Sequence, residues 1–205
     1  MKGKRIYLFT RFERLWHWLQ AILIIVLLIT GFEIHGTYSL LGYDRAVFIH
    51  NFCGITWIVL FFLFVFWLFV TGEWKQYIPT TKKMIDVIRF YSYGIFKGEK
   101  HPFYKSREEK HNPLQRIVYL ILASIFLPIQ ILSGIYYYTY HTWPKLGGLA
   151  IFSSLNPVAF IHTLFAFIIL HFLVIHIYMT TTGDTVFAHI KSMIVGYEQV
   201  EETSK

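Results

Sequence analysis

The sequence predicts an all-α membrane protein, a four-transmembrane-helix bundle with amphipathic helices along its cytoplasmic side. Three observations predict it. Of 205 residues, 55% are hydrophobic and only 15% charged, a balance outside the range of soluble globular domains. Four apolar stretches, at about 15–34, 46–70, 114–138 and 157–181, each reach the roughly 20 residues that a spanning helix needs. The basic residues alternate between connecting segments: five Lys/Arg in residues 1–14 and nine in 71–113, against only Arg45 in 35–45 and Lys145 in 139–156. Lys and Arg gather on the cytoplasmic side. Both termini, the loop 71–113 and the tail 182–205 are therefore expected in the cytoplasm of a bacterial inner membrane, and residues 1–205 read as a single membrane domain.

The first stretch follows a basic segment but outruns a signal-peptide core and lacks an A-x-A-like site, so it is expected to stay as helix 1. Helix 2 is expected to begin after a GYDR turn and to end at TGEW, with Trp16, Trp18 and Trp74 at the interfaces. In the long loop, Met84, Ile88, Tyr91 and Ile95 recur at helical spacing opposite Lys82, Asp86 and Arg89, which predicts an interfacial amphipathic helix. The charged run GEKHPFYKSREEKH, residues 98–111, predicts a solvated segment or a docking surface. Asn112-Pro113 and Asn156-Pro157 are start signals for helices 3 and 4, Pro128 predicts a kink, and residues 185–197 predict a last surface helix.

Cysteine excludes several chemistries. The chain holds only Cys53, so disulfides, iron–sulfur clusters and thiolate zinc sites cannot form within it, and no C-x-x-C-H run would attach a haem covalently. The net charge of +7 is accounted for by membrane topology, so nucleic acid is not an expected partner.

Ionisable groups within a bilayer are functional candidates by default. Here they are His17, His50, His162, His171 and His176. His162 and His176 lie fourteen residues apart, about 40° short of four full turns, so they share a face and stand roughly 21 Å apart along the axis. That spacing suits two stacked haems bound from one helix. Antiparallel threading matches His50 with His162 at the outer depth and His17 with His176 at the inner depth. Bis-histidine ligation fills both axial positions of a haem iron and favours electron transfer over oxygen binding. Gly54 and Ala166, each four residues after a histidine, would leave room for a flat ring. His171 falls about 180° from His162 and is expected to contact a neighbouring helix. His35 is the rival to His50 as outer ligand. The segment LLITGFEIH ending helix 1 echoes QILSGIYYY ending helix 3, where small residues would admit a close neighbour.

The run RFERLWHW, Thr30-Gly31, the helix 2 histidine, HNPLQ and the His-x13-His of helix 4 together resemble the bacterial dihaem cytochrome b family. That family includes membrane subunits of nickel–iron hydrogenase, formate dehydrogenase and thiosulfate reductase-like complexes, and the resemblance runs from Arg11 to about Gly183. It implies two haem b, ligated by His17, His50, His162 and His176, and a quinone (menaquinone or ubiquinone) site beside the inner haem. Asn112 and Gln115 match the family's Asn-x-x-Gln there, although Asn112 also reads as a simple helix cap. Arg11, Arg14 and Arg116 are candidates for propionate contacts. An iron–sulfur or multihaem subunit is the expected partner, because the chain offers no soluble domain for substrate chemistry. A histidine-relay transporter and a haem-free anchor of a catalytic subunit are the rival readings.

Overall fold

The computed structural model describes residues 4–99, 101–146, 154–183 and 185–200. Lys2, Lys100, residues 147–153 of the 139–156 loop and the tail beyond 200 lie outside the described residues. The predicted class is the one observed: four long apolar helices, Arg11–Ile34, Tyr43–Thr71, Pro113–Tyr138 and Leu155–Thr180, each long enough to cross a bilayer. They are apolar all round, and side chains such as Phe48, Phe52, Phe66 and Phe69 are exposed, which is the surface a lipid environment requires.

Helix α1 (Arg11–Ile34) starts earlier than expected because Thr10 and Glu13 cap it reciprocally. The Glu13 N–H donates to Thr10 Oγ1 (3.3 Å) and the Thr10 N–H to Glu13 Oε2 (2.7 Å). At the other end, Glu33 Oε1 accepts from the N–H groups of Leu40, Leu41 and Gly42 at 2.6–2.8 Å and so closes the connection to α2 (Tyr43–Thr71). The expected GYDR turn is corrected here: only Gly42, at φ 87°, is turn, and Tyr43, Asp44 and Arg45 form the first turn of α2.

A 3-10 turn (Glu73–Tyr77) leads to α3 (Met84–Ser92), which is followed by a second 3-10 turn (Gly94–Lys97). The helix is where periodicity put it, but its face is rotated: Val87 and Phe90 are buried, whereas Ile85 and Ile88 are exposed. Helix α4 (Pro113–Ile121) opens on Asn112 and passes through a π stretch (Leu122–Phe126) into α5 (Leu127–Tyr138). Pro128, without an N–H to donate, sits in the first turn after that stretch, so the predicted irregularity takes the form of a π-bulge. A short α6 (Trp143–Leu146), α7 (Leu155–Thr180) and α8 (Ala188–Val195) complete the helices among the described residues. The last surface segment ends differently from expectation. Tyr197 belongs to strand β2 (Tyr197–Val200), which pairs antiparallel with β1 (Lys4–Tyr7), Tyr7 opposite Tyr197 and Lys4 opposite Val200.

Contacts divide the chain into two compact units: Met1–Trp16, Phe66–Leu122 and Ile175–Lys205 in one, His17–Val65 and Ala123–Val174 in the other. The first is held by polar staples. Lys110, 3% exposed, places its Nζ 2.8 Å from Glu13 Oε1 and 2.9 Å from Glu73 Oε2, and its N–H donates to Gln76 Oε1 (3.0 Å). Lys105 Nζ meets Glu198 at 2.9 Å, with His189 Nδ1 3.3 Å from the same ammonium. Gly196 allows the turn into β2: its φ is 86°, and a Cβ there would lie 2.8 Å from the Phe9 carbonyl oxygen. The second unit is built around apolar packing. Its α2 buries Ala46, Cys53, Trp57, Phe61 and Phe64, a stripe at three-, four- and seven-residue intervals.

Candidate functional site

His50 lies on the buried stripe of α2, four residues after Ala46, and His162 lies on α7, four residues after the buried Val158. Both belong to the second unit. Their rings face each other with centroids 6.3 Å apart and planes at 73°. Two imidazoles on opposite sides of one metal, each bonded at about 2.0–2.1 Å, have centroids about 6–6.5 Å apart. The observed spacing therefore fits a bis-histidine centre. Two nitrogens alone leave a metal under-coordinated, whereas a haem brings the remaining four, so this donor set fits an axial pair.

The neighbours of these rings repeat. Thr30 Oγ1 is 2.9 Å from His50 Nδ1, and Ser133 Oγ is 3.1 Å from His162 Nδ1. Each hydroxyl residue is followed by glycine. A Cβ on Gly31 would lie 3.4 Å from His50 Cε1, and one on Gly134 would lie 3.1 Å from His162 Cε1. The room beside the rings thus comes from Gly31 and Gly134. The expectation for Gly54 is corrected, since a Cβ there would meet only Leu27, at 3.9 Å. Gln130 Nε2 lies 3.2 and 3.3 Å from the two ring nitrogens of His162, and the Tyr137 ring stands 6.2 Å from the same imidazole.

The other histidines fall as follows. His35 Nε2 is 3.2 Å from Thr163 Oγ1, so it lies beside α7 one residue from His162, while His50 is the imidazole facing His162. His171 is exposed and its Nδ1–H donates to the Phe167 carbonyl (2.7 Å) of its own helix, which replaces the expected contact with a neighbour. His17 sits edge-on to Trp18, centroids 5.2 Å apart, in the second unit, and His176 is half-buried in the first.

In the first unit, Asn112 and Gln115 form a capping box at the start of α4: the Gln115 N–H donates to Asn112 Oδ1 (2.9 Å) and the Asn112 N–H to Gln115 Oε1 (3.0 Å). Asn112 Nδ2 donates to the Tyr91 hydroxyl (3.1 Å), which also meets His101 Nε2 (3.1 Å). Sequence reasoning missed the neighbouring aromatic group. The His111 ring lies 5.1 Å from both Tyr77 and Tyr119, and its Nδ1 is buried without a hydrogen-bond partner among the described residues. Burial, together with the charges of Lys105, Lys110 and Arg116, lowers the His111 pKa to about 3, so the ring is neutral at pH 7. Burial likewise pushes the Tyr77 and Tyr91 phenols up and the His101 imidazole down. Two of the basic candidates are engaged within this unit, Arg14 with the Ile194 carbonyl and Arg116 with Glu109 (3.1 Å) and the His111 carbonyl (3.0 Å).

Facing imidazoles inside apolar membrane-crossing helices define a class, the multi-pass membrane cytochromes that hold b-type haem for electron transfer. The chain belongs to the prokaryotic cytochrome b561 family, which it matches over residues 8–196. It is 31% identical over 204 residues to the putative cytochrome YdhU of Escherichia coli K12, covering 96% of this chain and 76% of that one. It is 26% identical to a probable Ni/Fe-hydrogenase B-type cytochrome subunit of Rhizobium leguminosarum bv. viciae (96% and 90% covered). A Rhodobacter capsulatus protein of the same description is 24% identical (96% and 82% covered).

Proposed function

We propose that this protein is the electron-transfer subunit of a membrane oxidoreductase and holds two b-type haems in series, one between His50 and His162 and one between His17 and His176. The observation that carries the reading is the 6.3 Å spacing of the His50 and His162 rings within the apolar helices. The second pair rests on sequence: His176 lies roughly 21 Å along α7 from His162 on nearly the same face, and His17 lies near the start of α1. When bound, the haems pass single electrons between quinol or quinone at one face of the bilayer and a redox partner at the other.

The chain's own residues then have distinct tasks. The four histidines would hold the haem irons, and the apolar faces of α2 and α7 would exclude water around the outer pair. On the inner side, Asn112 and Gln115 would fix the start of α4 beside the quinone. Both ends of the described chain are joined by the β1–β2 pairing, which supports a common side for the termini, as four crossings require. The basic residues of 1–14 and 71–113 assign that side to the cytoplasm of a bacterial inner membrane. A catalytic subunit, such as the hydrogenases named for the rhizobial and Rhodobacter relatives or another iron–sulfur or multihaem protein, would exchange electrons near His50 and His162.

The test is a pyridine haemochrome assay on the purified protein with a reduced-minus-oxidised spectrum. Two haem b per chain are expected, His50→Ala or His162→Ala removing one and His17→Ala or His176→Ala removing the other. A folded preparation without haem b overturns the reading, and a single haem unaffected by His17 or His176 substitution overturns the second site.

A further inference from the structure

The two imidazoles of the outer pair are approached by matching dipeptides, Thr30-Gly31 at the end of α1 and Ser133-Gly134 near the end of α5. Each dipeptide stands on the membrane-crossing helix that precedes the histidine's own, so α1 with α2 and α5 with α7 present one local arrangement twice. In each, the hydroxyl meets Nδ1 of the facing ring and the following glycine clears Cε1.

The hydroxyl protons have another destination. Thr30 Oγ1 donates to the Val26 carbonyl at 2.8 Å, with the Leu27 carbonyl at 3.3 Å, and Ser133 Oγ donates to the Gln130 carbonyl at 3.0 Å. A hydroxyl carries one proton and two lone pairs. With the proton given to a carbonyl, each oxygen acts toward Nδ1 as an acceptor. Both rings are therefore Nδ1–H tautomers, with the lone pair on Nε2.

We propose that Thr30 and Ser133 are paired positioning residues: their hydroxyl oxygens lock His50 and His162 as Nε2 donors to a single iron and, by accepting from Nδ1–H, set the reduction potential of the outer haem. A hydrogen bond accepted from the remote ring N–H increases the basicity of the ligating nitrogen. It favours the ferric iron over the ferrous, so removing it raises the potential. With a net hydrogen bond worth about 1 kcal/mol, each loss shifts the reduction equilibrium about fivefold, or about 40 mV for one electron.

The inference rests on the outer-haem reading, and the experiment separates the two. The full chain and its variants Thr30→Val, Thr30→Ser, Ser133→Ala and Ser133→Thr are purified in detergent and titrated potentiometrically, with low-temperature electron paramagnetic resonance of the ferric haems. Val and Ala are expected to raise the outer potential about fivefold in equilibrium constant and to shift its ferric signal, with the inner haem unchanged. Ser and Thr, which keep the hydroxyl, restore both readings. If Val or Ala loses the outer haem while Ser or Thr retains it, the hydroxyl is again the requirement. An unmoved outer potential and signal overturn the proposal, as does loss of the haem in the hydroxyl-retaining variants, which would assign these positions to packing. Absence of an outer haem from the unaltered protein would instead overturn the ligand assignment itself.

Discussion

Lys110→Met removes one charge from a buried cluster and retains most of the side chain's apolar length, so it isolates the electrostatics of the first unit. In the native arrangement Lys110 Nζ contacts Glu13 at 2.8 Å and Glu73 at 2.9 Å, with its side chain 2% exposed. Those two contacts set the carboxylate oxygens within about 5.7 Å of each other. Without the ammonium they repel by about 3 kcal/mol at an effective dielectric constant near 20. Breaking a buried ion pair from one side costs about 3–5 kcal/mol. Glu73 is 28% exposed on its side chain, which places the expected loss at the lower end, about 3 kcal/mol at pH 8. Chemical unfolding in detergent at pH 8, followed by tryptophan fluorescence, measures it. Adding Glu73→Gln should recover a large part of the loss. A variant within about 0.5 kcal/mol of the native protein at pH 8, or one that Glu73→Gln does not rescue, refutes this account.

Gly134→Ala is expected to reduce haem content, because its Cβ would press on His162 Cε1 at 3.1 Å against a ring already held by Ser133 and Gln130. Gly31→Ala meets His50 at 3.4 Å and should retain more haem, with a helix-propensity gain of up to about 1 kcal/mol; equal loss from both variants in a haemochrome assay would contradict the difference. Burial opposes ionisation of Glu198, but the His189 hydrogen bond and the Lys105 ammonium outweigh it and hold its pKa at about 2. Its stabilisation, up to about 3 kcal/mol, is present above the unfolded pKa of about 4.3 and is lost as pH falls through about 2. Hydrogen exchange of the β1–β2 amides should accelerate over that window, and Glu198→Gln should abolish the dependence.

Membrane insertion imposes a strong pattern, which is why the spanning helices were legible. A long apolar run admits few conformations in lipid other than a helix, and depth-matching pairs His50 with His162, the rings that face each other. The rotation of α3 was not legible. Its apolar residues cover more than one face, so periodicity alone did not decide whether Val87 or Ile88 turns inward. The strands were hidden for a different reason: four residues at each end of the sequence carry little pattern, and their pairing is a contact between positions nearly two hundred residues apart. At the site, the echo of LLITGFEIH in QILSGIYYY was visible, but only geometry shows that the close neighbour each glycine admits is an imidazole. Asn112 illustrates the converse, since its capping role was plain from Asn-Pro and its hydrogen bond to Tyr91 was not.

The β1–β2 strand pair also sets the order of assembly. Residues 4–7 are made before the four spanning helices and their partner at 197–200 after them, so the pairing closes a loop of nearly two hundred residues. During synthesis the early strand must stand with its hydrogen-bonding edge unoccupied while four helices enter the bilayer. Its closure is thus a late report that the helices between have been threaded, and a chain stalled before residue 197 would expose that edge to quality-control proteases.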